Sequence, residues 1–278
     1  MKKYIPQIFI VLVVFYLLFL IRPAILGQLS GTFQSHQVPQ EYVRLEQFLG
    51  KQNNFSRTLW VPVTQRFGFY SNQHPAVSAE DFFHVASVSG VMDMLKNRNI
   101  EKLLRNAGVR YVIVPYDSEG EIFLKDRKYN NVLYLQTIKS LSTISWLKKL
   151  PGFGKIAVFE VLNPKDHFFL LGSGNVVYAF INPTEYRVTL DNVVKGERLV
   201  FAESYDKYWR AKVAGSMIQS EPYDGLFNSF LLPRGGAYAI TVFYTPQTWV
   251  NIGLWISSIT LLVLCIYFIS YFIYRFVK

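Results

Sequence analysis

Six residues within eight positions carry the side chains best suited to chemistry: Glu203, Tyr205, Asp206, Tyr208, Trp209 and Arg210. Glu203 and Asp206 are a candidate acid and base, the pairing a glycoside hydrolase uses across a sugar–sugar bond. Sequence separation does not fix the distance between two carboxylates. Close acidic pairs also occur at Glu80-Asp81 and at Glu119 and Glu121 among the chain's 19 acidic residues. Tyr205, Tyr208 and Trp209 offer flat apolar faces on which a sugar ring stacks, with Glu203, Asp206 and Arg210 in reach of its hydroxyls. The opposing reading buries these rings between two sheets, as aromatic residues in sandwiches do. Both readings stay open at this point. The six residues are expected to form a ligand-binding patch without a catalytic role.

Other reactive types are scattered. His36, His74, His84 and His167 lie far apart and share no ligand spacing. They are expected at surfaces and turns, with no metal and no cofactor. No serine sits in a Gly-x-Ser-x-Gly elbow, and no helical pattern follows Gly172-Ser173-Gly174, as a phosphate loop needs. The sole cysteine, Cys265, lies in an apolar run near the end of the sequence, so the middle of the chain has no disulfide and must rely on its core.

The middle of the chain must position the patch, and its pattern is mixed. Glu41–Leu49 has helical spacing after Pro39. Ser89–Asn106 reads as helix, in two pieces capped by Ser89 and Asn99, and Gly108 ends it. Strand Val109–Pro115 follows at once. Ile138–Leu150 reads as another helix, and Arg57–Val63 and Lys155–Leu162 as strands. Beyond Asn163 come short strands at Val176–Asn182, Glu185–Leu190, Arg198–Ser204, Trp209–Val213, Phe227–Leu232 and Tyr238–Tyr244. Asn182-Pro183, Lys195-Gly196, Ala214-Gly215 and Gly235-Gly236 punctuate them, a spacing that suggests a β-sandwich.

The ends are different. Ile8–Ile21 and Trp249–Tyr274 carry no charge, and each run with its flanks reaches the ~20 apolar residues that cross a ~30 Å hydrocarbon core. Lys2, Lys3, Arg275 and Lys278 flank them on the outside, so both tips are placed in the cytoplasm. The first run also resembles a signal peptide, but Arg22-Pro23-Ala24 offers no small-x-small cleavage site, which favours an uncleaved anchor. The other Lys and Arg, with all the acidic residues, leave the middle at +6 of the total +10. That charge is dispersed, so nucleic acid is not an expected partner, and anionic lipid headgroups are.

The expected fold class is therefore α+β. Two terminal transmembrane helices, 4–22 and 249–274, flank a linker at 23–40, an exterior α/β region at 41–162 and an exterior β-sandwich at 163–247.

Several strings carry a family resemblance. They are INPTEYRVTLDN (181–192), LVFAESYDKYWRAKVAG (199–215), FLLPRGGAYAITVFYTPQ (230–247) and GLWISSITLL (253–262), with RTLWVP (57–62), His74-Pro75 and AGVRYVIVP (107–115) upstream. Together they resemble the exterior domain and last span of YfhO-like proteins and of arabinofuranosyltransferase-like members of the GT-C glycosyltransferase class, which are multi-spanning bacterial membrane proteins. The resemblance implies a cell-envelope role beside lipid-phosphate sugar donors. It implies catalysis by acidic residues in an early loop of a multi-helix bundle, and neither that loop nor the bundle is in this sequence, so no catalytic residue carries over. The expected function is a non-catalytic exterior domain that binds glycan or lipid-linked saccharide, or docks on a polytopic glycosyltransferase. The alternatives are a split piece of such a transferase, or a sugar-processing enzyme at the outer membrane face.

Overall fold

A computed structural model describes residues 5–26, 38–65, 67–85, 87–116 and 131–277. Glu119, Glu121, His36, the Lys125–Lys128 cluster and most of the 23–40 linker lie outside the described residues. The fold is α+β, and the chain divides into two compact units. One holds residues up to Arg105 with Val109–Pro164, and the other holds Asn106–Gly108 with Lys165–Lys278.

The first unit runs α1 (Ile5–Ile25), α2 (Gln40–Gly50), β1 (Arg57–Trp60), β2 (Ala76–Ser78), α3 (Ala79–Phe83), α4 (Val88–Leu95), α5 (Arg98–Asn106), β3 (Val109–Val114), α6 (Asn131–Leu141), β4 (Leu147–Leu150) and β5 (Ala157–Val161). Its sheet has the order β2-β1-β3-β5-β4. β1 is parallel to β2 and β3, and β5 is antiparallel to β3 and β4. Tyr42, Leu45 and Leu49 repeat at helical spacing along α2, and they pack with Trp60, Ile113 and Val158, which are aligned across β1, β3 and β5. The alternate residues Leu59, Val112 and Phe159 point to the other face and are fully buried too. Burial on both faces explains why these strands read as continuous apolar runs.

Local chemistry sets the helix ends, and it corrects three expectations. α4 begins earlier than Ser89: Ser87 is its cap, and its hydroxyl accepts from the Gly90 N–H at 3.1 Å. Asn97, not Asn99, opens α5, with its side-chain oxygen accepting from the Asn99 N–H. The helix expected over Ile138–Leu150 is α6, which ends at Leu141. The Ser142 hydroxyl donates to the Ile138 carbonyl and the Thr143 hydroxyl to the Ser140 carbonyl, bonds that compete with helix continuation. The remaining residues Leu147–Leu150 pair with β5 as an edge strand.

The second unit runs β6 (Phe168–Leu170), β7 (Asn175–Asn182), β8 (Glu185–Val193), β9 (Arg198–Ser204), β10 (Trp209–Val213), β11 (Ser216–Gln219), β12 (Glu221–Tyr223), β13 (Phe227–Leu231), β14 (Gly236–Tyr244) and α7 (Pro246–Val277). Two antiparallel sheets, ordered β11-β10-β14-β8-β7 and β12-β13-β9-β6, face each other as a β-sandwich. Tyr186, Val188, Leu190, Ala211, Ile240 and Val242 of the first meet Phe168, Leu199, Phe201 and Phe230 of the second. Each set occurs at period two, the signature of a face turned to a core. β11 and β12 form one line of chain that passes from the first sheet to the second at the buried Ser220.

Among the described residues one helix is long and apolar enough to cross a membrane. It is α7, over the 26 residues Pro246–Tyr271. At ~1.5 Å per residue that stretch is about 39 Å long, more than a ~30 Å hydrocarbon core. The apolar stretch described within α1, Leu12–Arg22, is shorter.

Candidate functional site

The six candidate residues occupy one end of the sandwich, but they do not form one surface. β9 ends at Ser204, the chain turns through Tyr205–Tyr208, and β10 starts at Trp209. Asp206 organises the turn. One carboxylate oxygen accepts from the Tyr208 N–H at 2.9 Å and the other from the Tyr244 hydroxyl at 2.9 Å, while its carbonyl accepts from the Trp209 N–H. A carboxylate closing its own turn in this way is a familiar Asp role. The hydrogen bond to Asp206, more than any burial, holds the Tyr244 phenol above its ordinary pKa, because the phenol must stay protonated to donate.

Tyr205 and Tyr208 are exposed, and the Lys207 ammonium lies 5.3 Å from the centre of the Tyr208 ring. Trp209 is only 8% exposed. Its ring packs against Phe201 at 4.9 Å and Tyr244 at 5.2 Å, so the Trp209 face belongs to the sandwich core. Alternation along β10 turns Arg210 to the opposite, outer face, between Gln219 and Phe243. Its Nε is buried with no hydrogen bond.

Glu203 is turned toward β6. Its Oε1 lies 2.8 Å from Nε2 of His167, which is itself buried among Phe168, Tyr178, Tyr186 and Phe201. Asp166 joins this group by accepting from the His167 N–H and the Tyr178 hydroxyl. Burial and the nearby Asp166 push the Tyr178 phenol far up. The expectation that the histidines sit at surfaces or turns misses the burial of two of them, although His74 does lie in a turn, closed by backbone hydrogen bonds with Ser71. His167 is buried, and so is His74, whose Nδ1 lies 2.6 Å from the Ser56 hydroxyl and whose pKa burial lowers. His84 is exposed, with a left-handed backbone. The run His167-Phe168-Phe169-Leu170-Leu171 was the available signal, since a polar residue at the head of an apolar strand tends to find a buried partner.

One residue that supports the site carried no sequence signal of its own kind. Asn228 is fully buried on β13. Its amide nitrogen donates to the carbonyls of Glu203 and Ser204, and its oxygen accepts from the Asp206 N–H and the Ser220 hydroxyl, all between 2.9 and 3.1 Å. Two donors and two lone pairs are all used. The turn that carries Tyr205 and Tyr208 is therefore fixed by a side chain more than twenty residues away, where β13 bulges at Phe227-Asn228.

The site is also tied to α7. The Tyr208 carbonyl accepts from both the N–H and the hydroxyl of Thr245, and the Tyr244 N–H donates to the Thr184 carbonyl. Pro246, the first helical residue, follows directly. Proline suits that position because the N–H it lacks would have no partner there. Among the described residues, no three His, Cys, Asp or Glu side chains are grouped to hold a metal ion.

No protein-family profile and no curated protein matches the chain. One solved structure similar to part of it is the C-terminal globular domain of an oligosaccharyltransferase from Archaeoglobus fulgidus. The two are 12% identical, with a TM-score of 0.27, over 45% of this chain and 99% of that one. A likeness of that size fixes neither fold nor activity.

Proposed function

We propose that this chain is an extracytoplasmic domain anchored by α7 at one end and α1 at the other, with both termini in the cytoplasm. It binds a glycan or lipid-linked saccharide, or docks on a polytopic glycosyltransferase, in the assembly of cell-envelope polysaccharide. It catalyses no reaction itself. The observation that carries this reading is the pair of hydrogen bonds from Thr245 to the Tyr208 carbonyl, next to Pro246. They hold the exposed Tyr205–Tyr208 turn at the start of the apolar helix, which is where a saccharide borne on a membrane lipid would lie. Tyr205 and Tyr208 supply stacking faces, and Lys207 and the edge of Asp206 supply polar contacts. The carboxylates support a binding role over a catalytic one. Asp206 accepts from Tyr208 and Tyr244, and Glu203 is paired with His167, so both are engaged as structural acceptors.

The test uses the full-length chain in nanodiscs doped with a polyprenyl-diphosphate-linked disaccharide, alongside crosslinking in native membranes. Saturable binding that weakens about tenfold in Tyr208→Ala (~1.4 kcal/mol), or a crosslink from this turn to a polytopic glycosyltransferase, is the expected result. An unmodified chain that binds neither the lipid-linked nor the free disaccharide, and that crosslinks to no such transferase, overturns the reading.

A further inference from the structure

The end of the sandwich nearest α7 has three tips, and hydrogen bonds chain them to the start of the helix. The β7–β8 turn is tied on by the Thr184 carbonyl, which accepts from the Tyr244 N–H. The β9–β10 turn is tied on by the Tyr208 carbonyl, which accepts from Thr245. The β12–β13 turn follows through the Leu226 carbonyl, which accepts from the Tyr205 N–H. Between β14 and α7 stands the single residue Thr245.

We infer that this rim is itself a lipid-contacting surface, seated in the headgroup layer with Ile181, Tyr205, Tyr208 and Leu226 as its contacts. The inference rests on the reading that α7 crosses the bilayer, and it adds which face of the domain meets the lipid. The polar layer on one side of a bilayer is only ~5–8 Å deep. A helix that enters hydrocarbon within its first turns, with no spacer before it, keeps the three tips in or close to this layer. The side chains suit that depth. Ile181 is 50% exposed, Tyr205 38%, Tyr208 46% and Leu226 51%. The four stand at three separate tips, Ile181 near the end of β7 and the others on turns, and they are exposed among the described residues.

The opposite end makes the control. β14 is nine residues long, which puts the far turns roughly 26 Å away at ~3.3 Å per step. Those turns expose aliphatic residues too, Val194 and Leu171 among them, so exposed apolar area alone does not separate the ends. Aromatic residues do. Phe180, Tyr205 and Tyr208 are exposed at the helix end and are followed by Trp249 and Trp255, whereas Tyr238 at the far end is buried. Tyrosine and tryptophan concentrate where a membrane meets water because each ring has an apolar body and a polar edge. Lys207, with its ammonium near the Tyr208 ring, can lay its stem along that ring and reach a phosphate.

The experiment places single nitroxide labels on the full-length chain in nanodiscs of phosphatidylglycerol and phosphatidylethanolamine, in a Cys265→Ser background. Labels at Ile181, Tyr205 and Leu226 report the rim, at Val194 and Arg234 the far end, and at Ile256 the helix. The ratio of collisions with oxygen to collisions with a water-soluble nickel chelate is expected to be several-fold higher at the rim than at the far end, and highest at 256. Equal, water-like ratios at the rim and the far end, with 256 in lipid, overturn the inference and leave the anchoring reading intact. A water-like ratio at 256 overturns the anchoring reading itself. Rim labels shielded from both reagents show that protein, and not lipid, covers this end, which also overturns it.

Discussion

Trp209 and Tyr208 are neighbours in sequence with opposite duties. Trp209 fills the core between Phe201 and Tyr244, so Trp209→Ala leaves a void and is expected to cost about 3–5 kcal/mol, measured by denaturant unfolding. Tyr208 faces outward, so Tyr208→Ala is expected to change stability by no more than about 0.5 kcal/mol while weakening saccharide binding. Equal stability losses for the two variants would contradict these assignments. His74 allows a pH test. Burial lowers its pKa, so the folded state favours the neutral ring and the unfolded state binds more protons. The stability this contributes is complete above the unfolded value near 6.5 and falls away as pH drops from there through the lower folded value. Thermal melts are expected to show that loss below pH 6.5, and to show less of it in His74→Gln. Neither buried histidine could be recognised from spacing, because Ser56 and Glu203 reach them from positions far away in sequence.

Strands β8, β10 and β14 were legible because alternation over five or more residues is hard to imitate, β9 because its apolar run Leu199–Ala202 is bounded by turn signals, and Lys195-Gly196, Ala214-Gly215 and Gly235-Gly236 mark the turns beside them. β6, β11 and β12 are only three or four residues long, too short for a period to show. The Asp224-Gly225 pair between β12 and β13, with positive φ at both residues, is a hairpin signal that reveals β12 once it is read as one. Ile138–Leu150 misleads because its apolar spacing suits a helix for more than two turns beyond the point where Ser142 and Thr143 close it. Asn228 belongs to this scale, since it joins β13 to the end of β9. Asn228→Ala leaves two carbonyls, an N–H and a hydroxyl without their partner, and is expected to cost about 3 kcal/mol. It is also expected to raise hydrogen exchange at Asp206 and Tyr208. An unchanged exchange rate there would show that the turn holds without it.

For the whole molecule, the apolar ends were the plainest part of the sequence, and α7 is helical across the second of them, with its membrane-length stretch running Pro246–Tyr271. The α+β class and the sandwich also followed from pattern alone. The hydrogen-bonded chain that links three turns to the Tyr244-Thr245 entry of α7 did not, because register between distant strands is a product of tertiary packing. That chain of bonds makes the start of α7 and the candidate site parts of one piece of structure, and under the proposed topology the sandwich lies outside the cell with its far turns pointing away from the membrane. The most direct measurement is cysteine labelling in intact cells with a membrane-impermeant maleimide, using Lys195→Cys on a far turn and Arg275→Cys past the apolar stretch of α7, near its C-terminal end, each in a Cys265→Ser background. Position 195 is expected to be labelled in intact cells, and position 275 only after the membrane is permeabilised. Labelling of 275 with protection of 195, or labelling of both in intact cells, would contradict this topology.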